Sequence, residues 1–115
     1  MLNSDDAINS YVNICNRALS LNKNRFPFKQ ILGAAQNSEK GRKVEVSILG
    51  HDAETSYVFF IENGEITTMP HIDCGDCQCD GLWKVDWDYL QGVVQDPALY
   101  IQNPAKINWD WMYNT

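Results

Sequence analysis

No apolar run in this 115-residue chain approaches the roughly 20 residues that span a bilayer, so no transmembrane helix is expected. There is no Gly-rich phosphate loop, no Walker pattern, and no stripe of mixed basic and aromatic residues, so nucleotide and nucleic-acid binding find no support. Only two histidines are present. His51 lies beside Asp52 and His71 near Asp73, neither matched to a credible serine or cysteine nucleophile, so Ser-His or Cys-His catalysis is not expected. Repeats, linkers and low-complexity tracts are also lacking, which leaves one domain over residues 1–115. The first residues, MLNSDDAINSYV, carry acids where a signal peptide carries positive charge, so the expected location is intracellular and cytoplasmic. Thiols kept in that compartment stay reduced, and the four cysteines are not read as structural disulfides.

What remains is an ordinary globular composition, 44% hydrophobic and 21% charged. A chain of this length buries about two-thirds of the surface that it exposes when unfolded. The net charge of −6 is unevenly spread: residues 1–43 carry +4 and residues 44–115 carry −10. The basic stretch from Arg17 to Lys43 complements the acidic remainder of its own fold, or meets an anionic membrane surface in passing.

Hydrophobic period gives the elements. Asp5 and Asp6 suit the positive end of a helix, and Ser4 can accept from its free N–H groups. Ile8, Tyr11, Val12, Cys15, Ala18 and Leu19 then form one apolar stripe, predicting a helix over about 5–21 with Cys15 in the core. Pro27 can open a second helix through Phe28, Ile31, Leu32 and Ala35, ended by Asn37 to Gly41. The period switches to two at Val44, Val46 and Ile48, a strand, followed by a polar turn over residues 50–54. Residues 56–61 (SYVFFI) form a central strand, Asn63-Gly64 a type I′ turn, and residues 66–69 the partner strand. Residues 70–81 read as a loop entering a short strand near Cys77–Cys79. Asp86 is expected to cap a helix carrying Trp87, Leu90, Val93 and Val94. Asp96-Pro97 is expected to start another over 98–102, and Ile107, Trp109 and Trp111 alternate as a closing strand that anchors the sheet face. The fold class is α+β, a mainly antiparallel sheet of about five strands covered on one face by the N-terminal and late helices.

This succession resembles the sterol carrier protein 2 (SCP2) sterol-transfer family over roughly residues 43–110. Strand 57–61 leads through Asn63-Gly64 into Glu65-Ile66, similar to that family's "…v.dG.v" hairpin. An aromatic-led helix ends in Leu90-Gln91-Gly92, Asp96-Pro97-Ala98 opens the next, and Ala105-Lys106-Ile107 stands where the family has Gly-Lys-Leu or Gly-Lys-Ile. Asn103-Pro104-Ala105 replaces the usual glycine, and the family's Gly-Asp appears only as Trp109-Asp110. The resemblance implies an apolar tunnel between sheet and helices that holds a sterol, fatty acid or acyl-CoA, without catalysis and without a required cofactor. Four Trp, five Tyr and four Phe supply rings for such a cavity. Candidate lining residues are Tyr57, Phe59, Ile61, Leu90, Val94, Leu99 and Ile101; the plainer role for each is to fill the core. A homodimer is compatible with this reading.

One segment points elsewhere. His71, Cys74, Cys77 and Cys79 bring four soft ligands within nine residues, and a Cys-x-x-Cys turn lets two thiolates converge on zinc or an iron–sulfur cluster. Against this, no second Cys-x-x-Cys exists, the fourth ligand must be His71 or the distant Cys15, and Asp73, Asp76 and Asp80 raise thiol pKa values. A small metal-binding or redox-linked protein is therefore the alternative to a lipid carrier.

Overall fold

A computed structural model describes residues 3–22, 42–50, 56–62, 65–71 and 78–112. The second helix expected from Pro27, the body of the 50–54 turn and the Asn63-Gly64 turn itself lie outside them. Helix α1 (Ser4–Asn22) is followed by strands β1 (Arg42–Leu49), β2 (Tyr57–Glu62), β3 (Glu65–Pro70) and β4 (Gly81–Asp86). Helices α2 (Trp87–Gln95) and α3 (Pro97–Gln102) come next, then single 3-10 turns at Pro104–Lys106 and Asp110–Met112. The class is α+β.

The α1 stripe is the expected one, with Ile8, Tyr11, Cys15, Ala18 and Leu19 buried. Its cap differs. Asn3, not Ser4, receives the Asp6 N–H at 2.8 Å, while Ser4 begins the helix and stands 3.0 Å from the Tyr57 hydroxyl. Asp86 and Asp96 do occupy the N-cap positions of α2 and α3, but neither side chain makes a cap hydrogen bond. What remains for them is charge at a helix N-terminus, worth about 0.3–1 kcal/mol, and Pro97 sets φ in the first turn of α3.

The four described strands form one sheet in the order β3-β2-β1-β4. The β2–β3 hairpin pairs Glu62 with Glu65, a register that leaves two residues for its turn, as the Asn-Gly signal requires. Against an expected, mainly antiparallel sheet of about five strands, the described sheet has four and is mixed, with two antiparallel pairings and one parallel. β2 runs antiparallel to both β1 and β3, but β4 joins the other side of β1 in parallel, Val46 opposite Trp83 and Ile48 opposite Val85. The hairpin occupies one side of β1 and β4 the other, so β4 is reached by a crossover, which a parallel pairing requires. β1 leaves the sheet through Gly50, whose φ of +80° suits a residue without Cβ.

One expected strand moves and another is replaced by a turn. The one placed near Cys77–Cys79 begins at Gly81, where Trp83 and Val85 turn inward and Leu82 and Lys84 outward. The closing strand at Ile107–Trp111 does not form. The Asn108 side chain accepts the Asp110 N–H at 3.0 Å, and the Met112 N–H reaches Trp109 O, which winds the chain into a turn. Its apolar residues are nevertheless buried, and Trp111 and Met112, though adjacent, are both inside.

Register gives the sheet two faces. Val44, Val46, Tyr57, Phe59, Ile61, Ile66, Trp83 and Val85 lie on the inner face, beneath α1, α2 and the C-terminal turn. The free side of β3 is covered by Asn16 of α1. Its side-chain amide donates to Ile66 O and accepts from Ile66 N, both at 2.7 Å, so a primary amide imitates one residue of a neighbouring strand. Asn16→Ala leaves both backbone groups without a partner and is expected to cost about 1–3 kcal/mol in urea unfolding. Asn9→Ala, at an exposed bond to Asp5 O, is expected to stay within about 0.5 kcal/mol. Equal effects would show that the edge contact is not specific.

Candidate functional site

The inner face carries a ring cluster. Trp111, fully buried, stacks on Trp83 at 5.5 Å between centroids with an 18° interplanar angle, and meets Phe59 edge-on at 5.2 Å. Tyr11 of α1 tilts against Trp83 at 6.0 Å and meets Tyr89 of α2 edge-on at 5.9 Å. The two phenols share a hydrogen bond of 3.0 Å, and the Asn108 N–H donates to Tyr89 Oη at 2.8 Å. One polar chain, part-buried at the tyrosine pair and exposed at Asn108, thus joins α1, α2 and the C-terminal segment.

The seven candidate lining residues divide. Tyr57, Phe59, Ile61 and Leu90 are in the core; Val94 and Ile101 pack half-buried against it; Leu99 is 38% exposed. The last two belong to α3, which has no fully buried residue although Ala98, Leu99, Tyr100 and Ile101 are consecutive in it. Tyr100 lies over α2, where a Cβ added to Gly92 would stand 3.9 Å from its Oη. Tyr11, Trp83 and Tyr89 were not picked out as lining residues. The Trp83/Val85 alternation is the signal that finds Trp83; the tyrosine pair joins residues 78 positions apart and leaves no local trace.

Polar groups on the inner face are few. Thr68, opposite Phe59 on β3, has its Oγ1 buried with no hydrogen-bond partner among the described residues. The Tyr57 hydroxyl donates to the Asp5 carboxylate at the start of α1. Burial first, and then the Asp5 carboxylate, push its pKa up to about 12, with Ser4 offsetting part of the rise. Burial likewise pushes the Tyr11 and Cys15 groups up, with Cys15 and Tyr89 adding to the rise at Tyr11.

Of the cysteine cluster, His71 and Cys79 are described, and both meet Glu45, which points away from the inner face. His71 Nε2 stands 3.7 Å from Glu45 Oε1 of β1. Cys79, half-buried, has its thiol pushed up by burial, then by Glu45 and Asp80, with Lys43 opposing. Cys74 and Cys77 lie outside the described residues; among those described, no group of three or more His, Cys, Asp or Glu could hold a metal ion. No described helix is long and apolar enough to cross a membrane.

Two measurements test these electrostatics. Tyr57 binds its proton more tightly in the fold than in the unfolded chain, so its contribution is complete below about pH 10 and is lost as pH rises through about 12. The urea midpoint is therefore expected to fall over that window, and Tyr57→Phe to flatten the fall; an unchanged slope contradicts the assignment. In peptide-resolved alkylation near neutral pH, Cys79 is expected to react more slowly than an ordinary thiol and to accelerate several-fold in Glu45→Gln. A rate insensitive to residue 45 would remove Glu45 from its environment.

No family model matches the chain, and neither a curated protein nor a solved structure does.

Proposed function

We propose that this chain binds or carries a hydrophobic, lipid-like molecule (a sterol, fatty acid or acyl-CoA) between the sheet and helices of a sterol-carrier-protein-2-like domain, with no chemistry of its own. The observation that carries the reading is α3. A six-residue helix is too short to be stable alone, and this one keeps Leu99, Tyr100 and Ile101 half-exposed beside the core rather than sunk into it. It is held by little buried surface, so it opens at low cost, and its apolar side chains then line the way to the inner face. The Thr68 hydroxyl, without a partner among the described residues, supplies what an apolar ligand site needs besides area, one polar group that fixes orientation.

The stacking of Trp111 on Trp83 favours a second reading. There the interior is permanently filled, and the scaffold serves protein contacts through the same apolar helix.

Native mass spectrometry separates the readings. A co-purified lipid supports the first, and a metal lost in Cys77→Ser supports the metal-binding alternative. Lipid-free protein that also ignores fluorescent fatty acids sinks the carrier reading. Where lipid binds, Leu99→Asp with Ile101→Asp is expected to weaken it at least tenfold. Leu99→Asp alone is expected to shift the unfolding midpoint little, because Leu99 is already exposed.

A further inference from the structure

We propose that this chain pairs with a second copy of itself through β4, antiparallel about a two-fold axis at Leu82, so that two sheets become one. The proposal concerns the edge of the sheet and does not rest on the carrier reading.

The two edges of the described sheet are treated differently. On β3 the Asn16 amide occupies both backbone groups of Ile66. β4 is the last strand on the other side, and no described residue hydrogen-bonds to its far side. Backbone groups of a strand point to both sides, so those of β4 that face away from β1 are left for another strand. An edge in that state is a template for pairing.

The side chains decide what pairs. Asp80, Leu82, Lys84 and Asp86 alternate along the outer side and are all exposed, Leu82 by 47%. Neither Asp80 nor Lys84 makes an ion pair among the described residues. In an antiparallel pair about a two-fold axis, each residue faces the one equidistant from that axis. An axis at Leu82 sets Leu82 against the partner's Leu82 and Asp80 against the partner's Lys84, the latter twice by symmetry. On the inner side Gly81 faces the partner's Trp83, where a ring covers the bare backbone of an edge glycine. Both copies keep their inner faces on the same side.

Other registers are worse. An axis at Trp83 sets Asp80 against the partner's Asp86, and an axis at Lys84 sets two lysines together; like charges directly opposite destabilise. An axis at Val85 leaves only Lys84 to Asp86 to pair before α2 begins at Trp87. Asp80 is also fixed for its part. Its N–H donates to Lys43 O at 2.6 Å and its Oδ2 accepts from Lys43 N at 2.9 Å, which holds it in line with the start of β4.

Sedimentation equilibrium tests the pairing. Wild type is expected to associate reversibly to a dimer. Lys84→Asp turns both attractive pairs into repulsive ones and is expected to raise the dissociation constant at least tenfold. Leu49→Asp, at a similarly exposed position one strand in from the edge, is expected to leave it unchanged. The register has its own test, which also covers a failure of Lys84→Asp to fold. In a background with Cys74, Cys77 and Cys79 changed to Ser, Leu82→Cys is expected to form a dimer on mild oxidation, linked through residue 82 by peptide mass spectrometry. Leu49→Cys in the same background is expected to form none. A protein that stays monomeric at millimolar concentration overturns the proposal. So does a dimer indifferent to Lys84→Asp, and so does crosslinking at residue 82 no greater than at residue 49.

Discussion

Everything on the inner side of the sheet is organised by the stack of Trp111 on Trp83, closed by Phe59 and Tyr11. The rings come from four separate elements: α1, β2, β4 and the C-terminal turn. They therefore tie together parts of the chain that share no backbone hydrogen bonds. Each well-oriented aromatic pair contributes about 0.5–1.5 kcal/mol beyond its buried area. Each ring also covers inner-face surface that would otherwise meet water, which is the larger effect. Because β4 is parallel to β1, Trp83 comes to lie beside Val46 at the middle of the sheet, within reach of Phe59. An antiparallel β4 would enter from the opposite end and would not present Trp83 and Val85 beside Val46 and Ile48 in this register.

Around that stack, polar groups sit at the ends of apolar side chains. Tyr57, Tyr11 and Tyr89 all bury their rings and lead their hydroxyls to partners: Asp5 with Ser4, and one another with Asn108. No charged residue is fully buried among those described. This is how an amphipathic side chain adds packing without an unpaired polar cost. Thr68 departs from the pattern, with a buried hydroxyl lacking a described partner, and it does so on the face proposed to receive a ligand. A buried hydroxyl without a described partner is more informative than another apolar contact.

Legibility from sequence followed the range of the interaction. Helix α1, the β2–β3 hairpin, and the Asp-Pro start of α3 were readable because each depends on residues within one or two turns. β4 was readable in principle, since Trp83 and Val85 alternate with Leu82 and Lys84, but the cysteines upstream drew the expected strand too early. The alternation at Ile107, Trp109 and Trp111 does mark buried residues. It misleads about backbone, because Asn108 bonds the amide two residues on and competes with a strand. Of the candidate site, the buried members on β2 and α2 could be placed on the inner face by period alone. The Tyr11–Tyr89–Asn108 chain could not, since its members meet only after the fold has formed.

The two faces of β1 carry different residues, and the described members of the cysteine segment, His71 and Cys79, meet the outer one. Alternation along β1 sends Val44, Val46 and Ile48 inward while Lys43, Glu45 and Ser47 face outward. Glu45 meets His71 and raises Cys79 on that outer side, one strand thickness from the aromatic stack. A charge placed there is shared with exposed groups and screened by water, so it acts weakly through the apolar interior. What the faces do share is backbone. Lys43 N donates to Asp80 Oδ2 and Asp80 N to Lys43 O, which fixes the start of β4 and hence the register of Trp83. The Lys43–Asp80 contact therefore bears on the inner face through where β4 begins, a geometric constraint rather than an electrostatic one.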